Sequence, residues 1–250
     1  EPIADESAQS LMKLAKALYH DGLDLDFINH SSIEQAEVQQ DILQVAGLEF
    51  RAVVLPPITT IRTATLETIK TFFGHGGTVV AFGRLPGASA EKGRNDPAIK
   101  SLVQEMFGVA PDQSVTDVVE HINERNGKAY FVPSNTKRVP EIVSQAITRD
   151  VVASEKNIFH THQKIGPVDV YFIFNTRAEE RDISFRLRAE GEPEIWDAFS
   201  GTVRPVHRFQ VGPGYTDVDL TLDPYEGTVL VLSPRGKRPA VVEDNLSSVV

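Results

Sequence analysis

The 250-residue chain has no cysteine, one tryptophan and two methionines. Without cysteine it has no disulfide framework, thiol nucleophile or thiolate metal site, and its cellular compartment stays open. No apolar run approaches the roughly 20 residues of a membrane-spanning helix, and the N-terminus lacks the charged-then-apolar pattern of a signal peptide. We therefore expect no membrane partner.

Basic residues are in short supply. The chain has 25 Lys and Arg against 35 Asp and Glu, a net charge of -10, and its longest basic cluster, 235–238, is interrupted by Gly236. Because phosphate backbones are bound by clustered Lys and Arg, nucleic acid is not an expected partner. A content of 41% hydrophobic and 24% charged residues allows folded cores in two domains.

The first half alternates helical and strand patterns. Apolar residues at helical spacing predict four helices, at about 6–21, 63–73, 99–107 and 139–146. Short apolar stretches predict strands at 23–29, 42–45, 52–55, 79–83 and 129–132. Strands separated by helices indicate a mostly parallel sheet covered on both faces, in a flavodoxin-like (amidotransferase-like) domain over residues 1–150.

The strand at 79–83 ends without a nucleophile. Catalytic relatives of this architecture place Cys or Ser on a sharp turn there, whereas this chain has Gly-Arg-Leu-Pro-Gly at 83–87. Ligands of open parallel sheets bind at the carboxyl ends of the strands, where we expect Asn29, His30, Pro57 and Arg84. No Gly-rich phosphate loop opens a helix, so contacts to an adjoining domain are favoured over nucleotide binding.

The second half alternates with a period of two. Three strands are predicted with one apolar face each: Val168, Val170, Phe172 and Phe174; Ile183, Phe185 and Leu187; Val218, Leu220 and Leu222. Short turns rich in Gly and Pro separate such segments, which is typical of an antiparallel β-sandwich or jelly roll. This domain is predicted over 151–236, and 237–250 is predicted to be a tail or a linker to a further module.

Polar candidate sites each have a plainer alternative. His160 and His162 share one side of a strand but lack a third metal ligand, so surface or interdomain histidines are favoured. Asp217, Asp219 and Asp223 share one strand face and could bind calcium. An acidic outer face is favoured, because a calcium site needs a turn that wraps about six or more oxygens around the ion. Glu192 and Glu194 lie too close in sequence to straddle a sugar as glycosidase carboxylates do. No catalytic residue, metal or cofactor is predicted.

Aromatic residues offer one further candidate. Trp196 and Tyr225 form a sugar-stacking platform if they face outward, although a lone Trp among alternating apolar residues is more often part of the core.

Six segments together resemble a known family. They are 19–28, 50–56 and 76–80 in the first half, and 169–175, 194–201 and 224–232 in the second. Their order resembles the accessory domains of the α-L-rhamnosidases of glycoside hydrolase family 106, over roughly residues 11–234. In that family the acid and base glutamates lie in an upstream catalytic barrel, so the resemblance assigns no catalytic residue to this chain.

The resemblance implies a non-catalytic accessory portion of a larger glycoside hydrolase, supporting an upstream catalytic domain of the same polypeptide. A parent protein of this kind is expected in the periplasm or outside the cell. Two alternatives stay open: a carbohydrate-binding module that uses Trp196 or Tyr225, and a degenerate amidotransferase-like or hydrolase domain with its own site. The absence of cysteine counts against the latter.

Overall fold

In residues 2–234, which the computed structural model describes, the chain forms two units, the first ending at Thr148 and the second beginning at Arg149. The helices of the first unit are α1 (Pro2–His20), α2 (His30–Glu34), α3 (Thr63–Gly74), α4 (Pro97–Phe107) and α5 (Arg138–Ala146). Its strands are β1 (Glu37–Gln39), β2 (Ile42–Val45), β3 (Leu48–Phe50), β4 (Ala52–Leu55), β5 (Thr60–Ile61), β6 (Thr78–Phe82), β7 (Ala88–Ser89), β8 (Gly93–Arg94), β9 (Val119–Ile122) and β10 (Lys128–Val132). In this part of the chain no helix is long and apolar enough to cross a membrane.

The main sheet of the first unit has the strand order β4-β6-β10-β9. Strand β6 is parallel to both β4 and β10, and β9 is antiparallel to β10. Alternate residues of the central strands enter two different cores. Val79 and Ala129 pack with α3 and α4, whereas Val80 and Tyr130 pack with α1 and α5. The sheet is therefore mixed rather than purely parallel, and helices cover both of its faces.

Helix α4 shows how local sequence sets these boundaries. Oδ1 of Asp96 accepts a hydrogen bond from the backbone N–H of Ala98 at 3.0 Å, and Pro97 occupies the first turn, where its missing N–H costs nothing. Gly108 ends the helix in the left-handed conformation, with φ of 72°. The predicted end of this helix at Gly108 is confirmed.

The strand predicted at 23–29 is wrong. Leu23 donates its backbone N–H to the carbonyl of Leu18, and Leu25 donates to the side chain of Asp24. These local bonds occupy the amides that a sheet ladder needs, and the segment has no strand. The strand at 42–45 is present, but it belongs to a small antiparallel sheet with β1 and β3 rather than to the main sheet.

The second unit consists of two antiparallel sheets. Its strands are β11 (Val151–Ala153), β12 (Ile158–Ile165), β13 (Val168–Asn175), β14 (Arg181–Leu187), β15 (Glu192–Trp196), β16 (Val203–Pro205), β17 (Phe209–Gly212), β18 (Tyr215–Leu222) and β19 (Gly227–Ser233). One sheet has the order β11-β14-β18-β17 and the other β12-β13-β19-β15-β16. Buried residues of both sheets form a single core. The tail predicted from 237 onward lies outside the described residues.

Strand faces were predicted correctly in two of three cases. Ile183, Phe185 and Leu187 of β14 are buried, as are Val218, Leu220 and Leu222 of β18. In β13 the core residues are instead Tyr171 and Ile173, and Phe172 is 43% exposed. The prediction of an inward Val168, Val170, Phe172 and Phe174 is wrong because the buried face also carries the polar residues Asp169 and Asn175, so the uniformly apolar alternation marks the outer face.

Candidate functional site

Asn29 and His30 sit at the start of helix α2 and make structural contacts. The side chain of Asn29 caps the helix by accepting from the N–H of Ser32 at 3.0 Å. His30 Nδ1 lies 3.1 Å from Oγ1 of Thr65, which in turn donates to Glu34 at 2.7 Å. These bonds tie α2 to α3.

Arg84 follows β6 on an exposed turn. Gly83 adopts a φ of 73°, and its N–H donates to the carbonyl of Val132 at 2.8 Å. A Cβ at Gly83 would lie 3.1 Å from Pro57, so the turn that carries Arg84 begins beside Pro57. No hydrogen bond or ion pair joins Arg84 to Asn29 or His30 in the described residues, and the turn holds no nucleophile.

His162 occupies a partly buried site of opposite charge on the inner face of β12. Its Nε2 lies 2.9 Å from Oδ1 of Asp169, and its Nδ1 lies 3.6 Å from Oδ1 of Asp150. The imidazole stacks on Tyr171 with ring centroids 4.2 Å apart. Burial lowers the pKa of His162, but the hydrogen bonds and charges of Asp150 and Asp169 outweigh it, so the pKa is raised.

His160 and His162 both lie on the side of β12 that faces Ile173 and Tyr171 of the core, and they are partly buried rather than fully exposed. Burial lowers the pKa of His160, which favours its neutral form. Among residues 2–234 no three His, Asp or Glu side chains come together as metal ligands. Asp217 instead forms a two-pronged ion pair with Arg186 at 2.8 and 2.9 Å.

The outer face of the five-stranded sheet carries a row of exposed apolar side chains, here called the apolar row. Phe172 of β13 pairs with Val229 of β19, Val229 with Trp196 of β15, and Trp196 with Val203 of β16. Directly opposed residues point to the same side of a sheet. Phe172 is 43% exposed, Trp196 37% and Val203 49%. The favoured core position of Trp196 is thus wrong.

Exposed aromatic residues are also found outside the apolar row. Tyr225, predicted as part of a platform, is 60% exposed. Phe199, in the turn that follows β15, is fully exposed, and Phe159 of β12 is 39% exposed. Neither was proposed from the sequence. Phe199 follows Asp197, whose carboxylate accepts from the amides of Phe199 and Ser200, and this turn signal was available.

Seven carboxyl groups of the described residues have a pKa that is lowered by their surroundings. A glycosidase acid needs a raised pKa. Every Asp or Glu with a resolved shift in the described residues has a lowered pKa: Glu91, Asp96, Glu105, Asp112, Asp150, Asp197 and Asp217. Glu194 accepts a hydrogen bond from Nε1 of Trp196 at 3.4 Å. No pair of carboxyl groups with opposed pKa shifts is found here.

Comparison with known proteins places the chain in a family of carbohydrate-active enzymes. It belongs to glycoside hydrolase family 106, described as alpha-L-rhamnosidase, whose family model matches residues 4–211. The resemblance found in the sequence is thereby confirmed.

The relatives are much longer than this chain. It is 26% identical over 236 residues to a putative beta-glucuronidase of Formosa agariphila, which covers 93% of this chain and 19% of the relative. The fold is similar to a rhamnosidase from Novosphingobium sp. PP1Y, with a TM-score of 0.63, 17% identity, and coverage of 85% of this chain and 20% of that one. A beta-galactosidase from Bacillus circulans sp. alkalophilus gives a TM-score of 0.60 at 13% identity, covering 91% and 38%. The chain thus spans about a fifth of the first two relatives.

Proposed function

We propose that this chain is a non-catalytic accessory portion of a larger glycoside hydrolase, α-L-rhamnosidase-like in substrate class. Its first unit is interpreted as a flavodoxin-like (amidotransferase-like) domain, and its second as a jelly-roll-like β-sandwich. The mixed sheet covered by helices on both faces supports the first interpretation. Two antiparallel sheets that share one core support the second.

The apolar row carries the accessory role. Contiguous exposed apolar surface is uncommon on soluble proteins and marks a surface that packs against something else. Phe172, Val229, Trp196 and Val203 cross four neighbouring strands. Because about four-fifths of the length of these two relatives lies outside the part matched by this chain, the occupant we propose is the catalytic domain of the same polypeptide.

The carboxyl groups with perturbed pKa values, and the turn after β6, support a catalytically silent chain. The described carboxyl shifts are all downward, which favours ionised carboxylates rather than the protonated acid that cleaves a glycosidic bond. The turn at Gly83 and Arg84 offers no nucleophile. A hydrolase with its own site in this chain is therefore not favoured.

The decisive experiment compares this chain with the full-length gene product on aryl glycosides, including an aryl α-L-rhamnoside. We expect turnover only by the longer protein. Turnover by the 250-residue chain would overturn the proposal. In the longer protein, Phe172→Ser and Val203→Ser should lower thermal stability, whereas Val152→Ser, on an exposed position of the other sheet, should leave it unchanged.

The exposure of Trp196 favours a second candidate function, carbohydrate binding through an aromatic platform of Trp196 and Tyr225. Under this alternative, Trp196→Ala and Tyr225→Ala would each weaken binding of the isolated chain to a soluble polysaccharide. Phe159→Ala serves as the control, because Phe159 is similarly exposed on β12 rather than on β15. If the sole effect of Trp196→Ala is on the stability of the longer protein, the accessory role is favoured.

A further inference from the structure

Two adjoining cavities of the second unit share Arg208 and Asp219. The smaller, of about 240 Å³, is lined by residues of both sheets, among them Ile195 of β15 and Leu220 of β18. The larger, of about 610 Å³, runs along β11, β14, β17 and β18. The smaller volume equals that of roughly eight water molecules in the liquid, which suits one sugar ring. The larger has room for neighbouring sugars.

Three basic side chains stand at the smaller cavity. Arg204, His207 and Arg208 lie in and after β16 and are exposed. The segment is anchored by Val206, which is 8% exposed and donates its N–H to the carbonyl of Pro193 at 3.1 Å. In the described part of the chain, none of the three basic side chains forms a hydrogen bond or an ion pair. In a protein of net charge -10, the guanidinium groups of Arg204 and Arg208, with the imidazole of His207 beside them, favour an anionic ligand.

Asp219 and Glu226 are held by neutral partners, whereas Asp217 of the larger cavity is paired with Arg186. Oδ1 of Asp219 accepts from Oγ of Ser184 at 2.6 Å. Glu226 accepts from the N–H of Asp223 at 2.7 Å and from Oγ1 of Thr228 at 3.2 Å. These carboxylates would repel a polyanion such as nucleic acid, but they accept hydrogen bonds from hydroxyl groups. The lining therefore suits a ligand with one localised anionic group and many hydroxyls.

We propose that the two cavities form one binding site for an anionic oligosaccharide, with a carboxylate or sulfate on the sugar that enters the smaller cavity. Arg204, His207 and Arg208 surround the anionic group. Asp219 and Gln210 bind hydroxyl groups of the sugars in the larger cavity. The apolar row lies on the outer face of the five-stranded sheet and shares no residue with either cavity, so this site goes beyond the accessory role.

The test is calorimetric titration of the 250-residue chain at low ionic strength. The probes are a trisaccharide of two galactoses and one terminal galacturonate, a galactotriose with one sulfate group, and neutral galactotriose of the same size. We expect at least one anionic probe to bind at least about tenfold more tightly than galactotriose, with an affinity that falls as salt rises. The first probe reports a preference for carboxylate and the second a preference for sulfate.

Substitutions in the lining test whether the ligand binds in these two cavities. Arg204→Gln and Arg208→Gln should each weaken binding by about tenfold, as expected for loss of one charge-assisted hydrogen bond. Lys164→Gln is the control. It removes the same charge from an exposed position of β12 that lines neither cavity, and it should change binding by less than about twofold. Equal affinity for neutral and anionic probes, or equal losses in all three variants, would refute the site. Unchanged melting temperatures would show that the variants remain folded.

Discussion

Nε2 of His162 lies 2.9 Å from Oδ1 of Asp169 on the neighbouring strand, with both side chains only 13% exposed. On its other side Asp150 approaches the imidazole and is itself bound by Arg188 at 2.5 Å. This arrangement joins the first residues of the second unit to β12 and β13. Because two carboxylates face one imidazole, the protonated histidine is favoured.

The stability of the second unit should therefore depend on the protonation of His162. A pKa raised above 6.5 in the folded state means that the stabilisation is fully present below pH 6.5 and is lost as pH rises through the folded pKa. We therefore expect the free energy of unfolding in urea to decline as the pH rises above about 6.5 and through the raised pKa of His162.

His162→Gln should flatten that decline and, at about pH 6, cost about 1.5–3 kcal/mol, the range for a hydrogen bond to a charged group. His75→Gln, at an exposed position after α3, is the matched control and should keep the pH dependence. An unchanged slope in His162→Gln would show that another group titrates. Because the pKa of Asp150 is lowered, its own contribution should be lost at the acidic end, as pH falls.

Neighbouring positions of β13 should respond in opposite ways to truncation. Ile173 is fully buried, so Ile173→Ala should cost about 2–5 kcal/mol through lost contacts and a cavity. Phe172 is exposed, so Phe172→Ser should cost at most about 1 kcal/mol in this chain. Urea unfolding of both variants measures the difference. A larger loss for Phe172→Ser would reverse the assignment of the faces.

Strand β13 also shows where sequence reasoning stops. Strands β14 and β18 alternate apolar with charged residues, so their inward faces were predictable from the sequence. Strand β13 has apolar residues on both faces. Only its pairing with the other strands shows that Tyr171 is buried and Phe172 exposed. The apolar row could not be predicted for the same reason, since it is made by cross-strand neighbours that are distant in sequence.

The crevice predicted at the carboxyl ends of the strands was only partly predictable from the sequence. Arg84 follows β6 as predicted, whereas Asn29 was expected at the end of a strand over 23–29 that does not form and instead caps α2. The partner of His30 was not predictable, because the bond between His30 and Thr65 spans 35 residues. Likewise the cavities beside Arg208 depend on the meeting of two sheets, a non-local property that periodicity does not encode.

Two glycines should differ sharply when replaced by alanine. A Cβ at Gly127 would lie 1.8 Å from the carbonyl oxygen of Phe73, which already accepts from Nδ2 of Asn123 at 2.7 Å. The backbone cannot move aside without breaking that bond, so Gly127→Ala should destabilise the first unit by about 3 kcal/mol or more.

Gly74 is the control for this substitution. It ends α3 with no atom within 4 Å of an added Cβ, so Gly74→Ala should be neutral or stabilise by up to about 1 kcal/mol. Thermal unfolding of both variants tests the expectation. Equal melting temperatures would mean that the loop around Gly127 yields more readily than its contacts indicate.

Asn175 should be the most sensitive polar position of the second unit. It is fully buried at the end of β13. Its Nδ2 donates to the carbonyls of Glu179 and Asp223, each at 2.9 Å, and its Oδ1 accepts from the N–H of Arg177 at 3.1 Å. One amide thus holds the turn after β13 and the turn before β19. Asn175→Ala should cost about 3 kcal/mol, because buried backbone groups lose their partners.

Asn175→Asp tests the hydrogen bonds that the side chain donates separately from the one that it accepts. It keeps the oxygen that faces Arg177 but places a carboxylate against the carbonyls of Glu179 and Asp223. It should therefore destabilise more than Asn175→Ala at about pH 7, and less at about pH 4, where a protonated carboxyl again donates one hydrogen bond. Urea unfolding of both variants at the two pH values measures this. If Asn175→Asp were as stable as the parent chain at neutral pH, the two donated bonds would contribute nothing, and the two turns would be held by their backbone bonds alone.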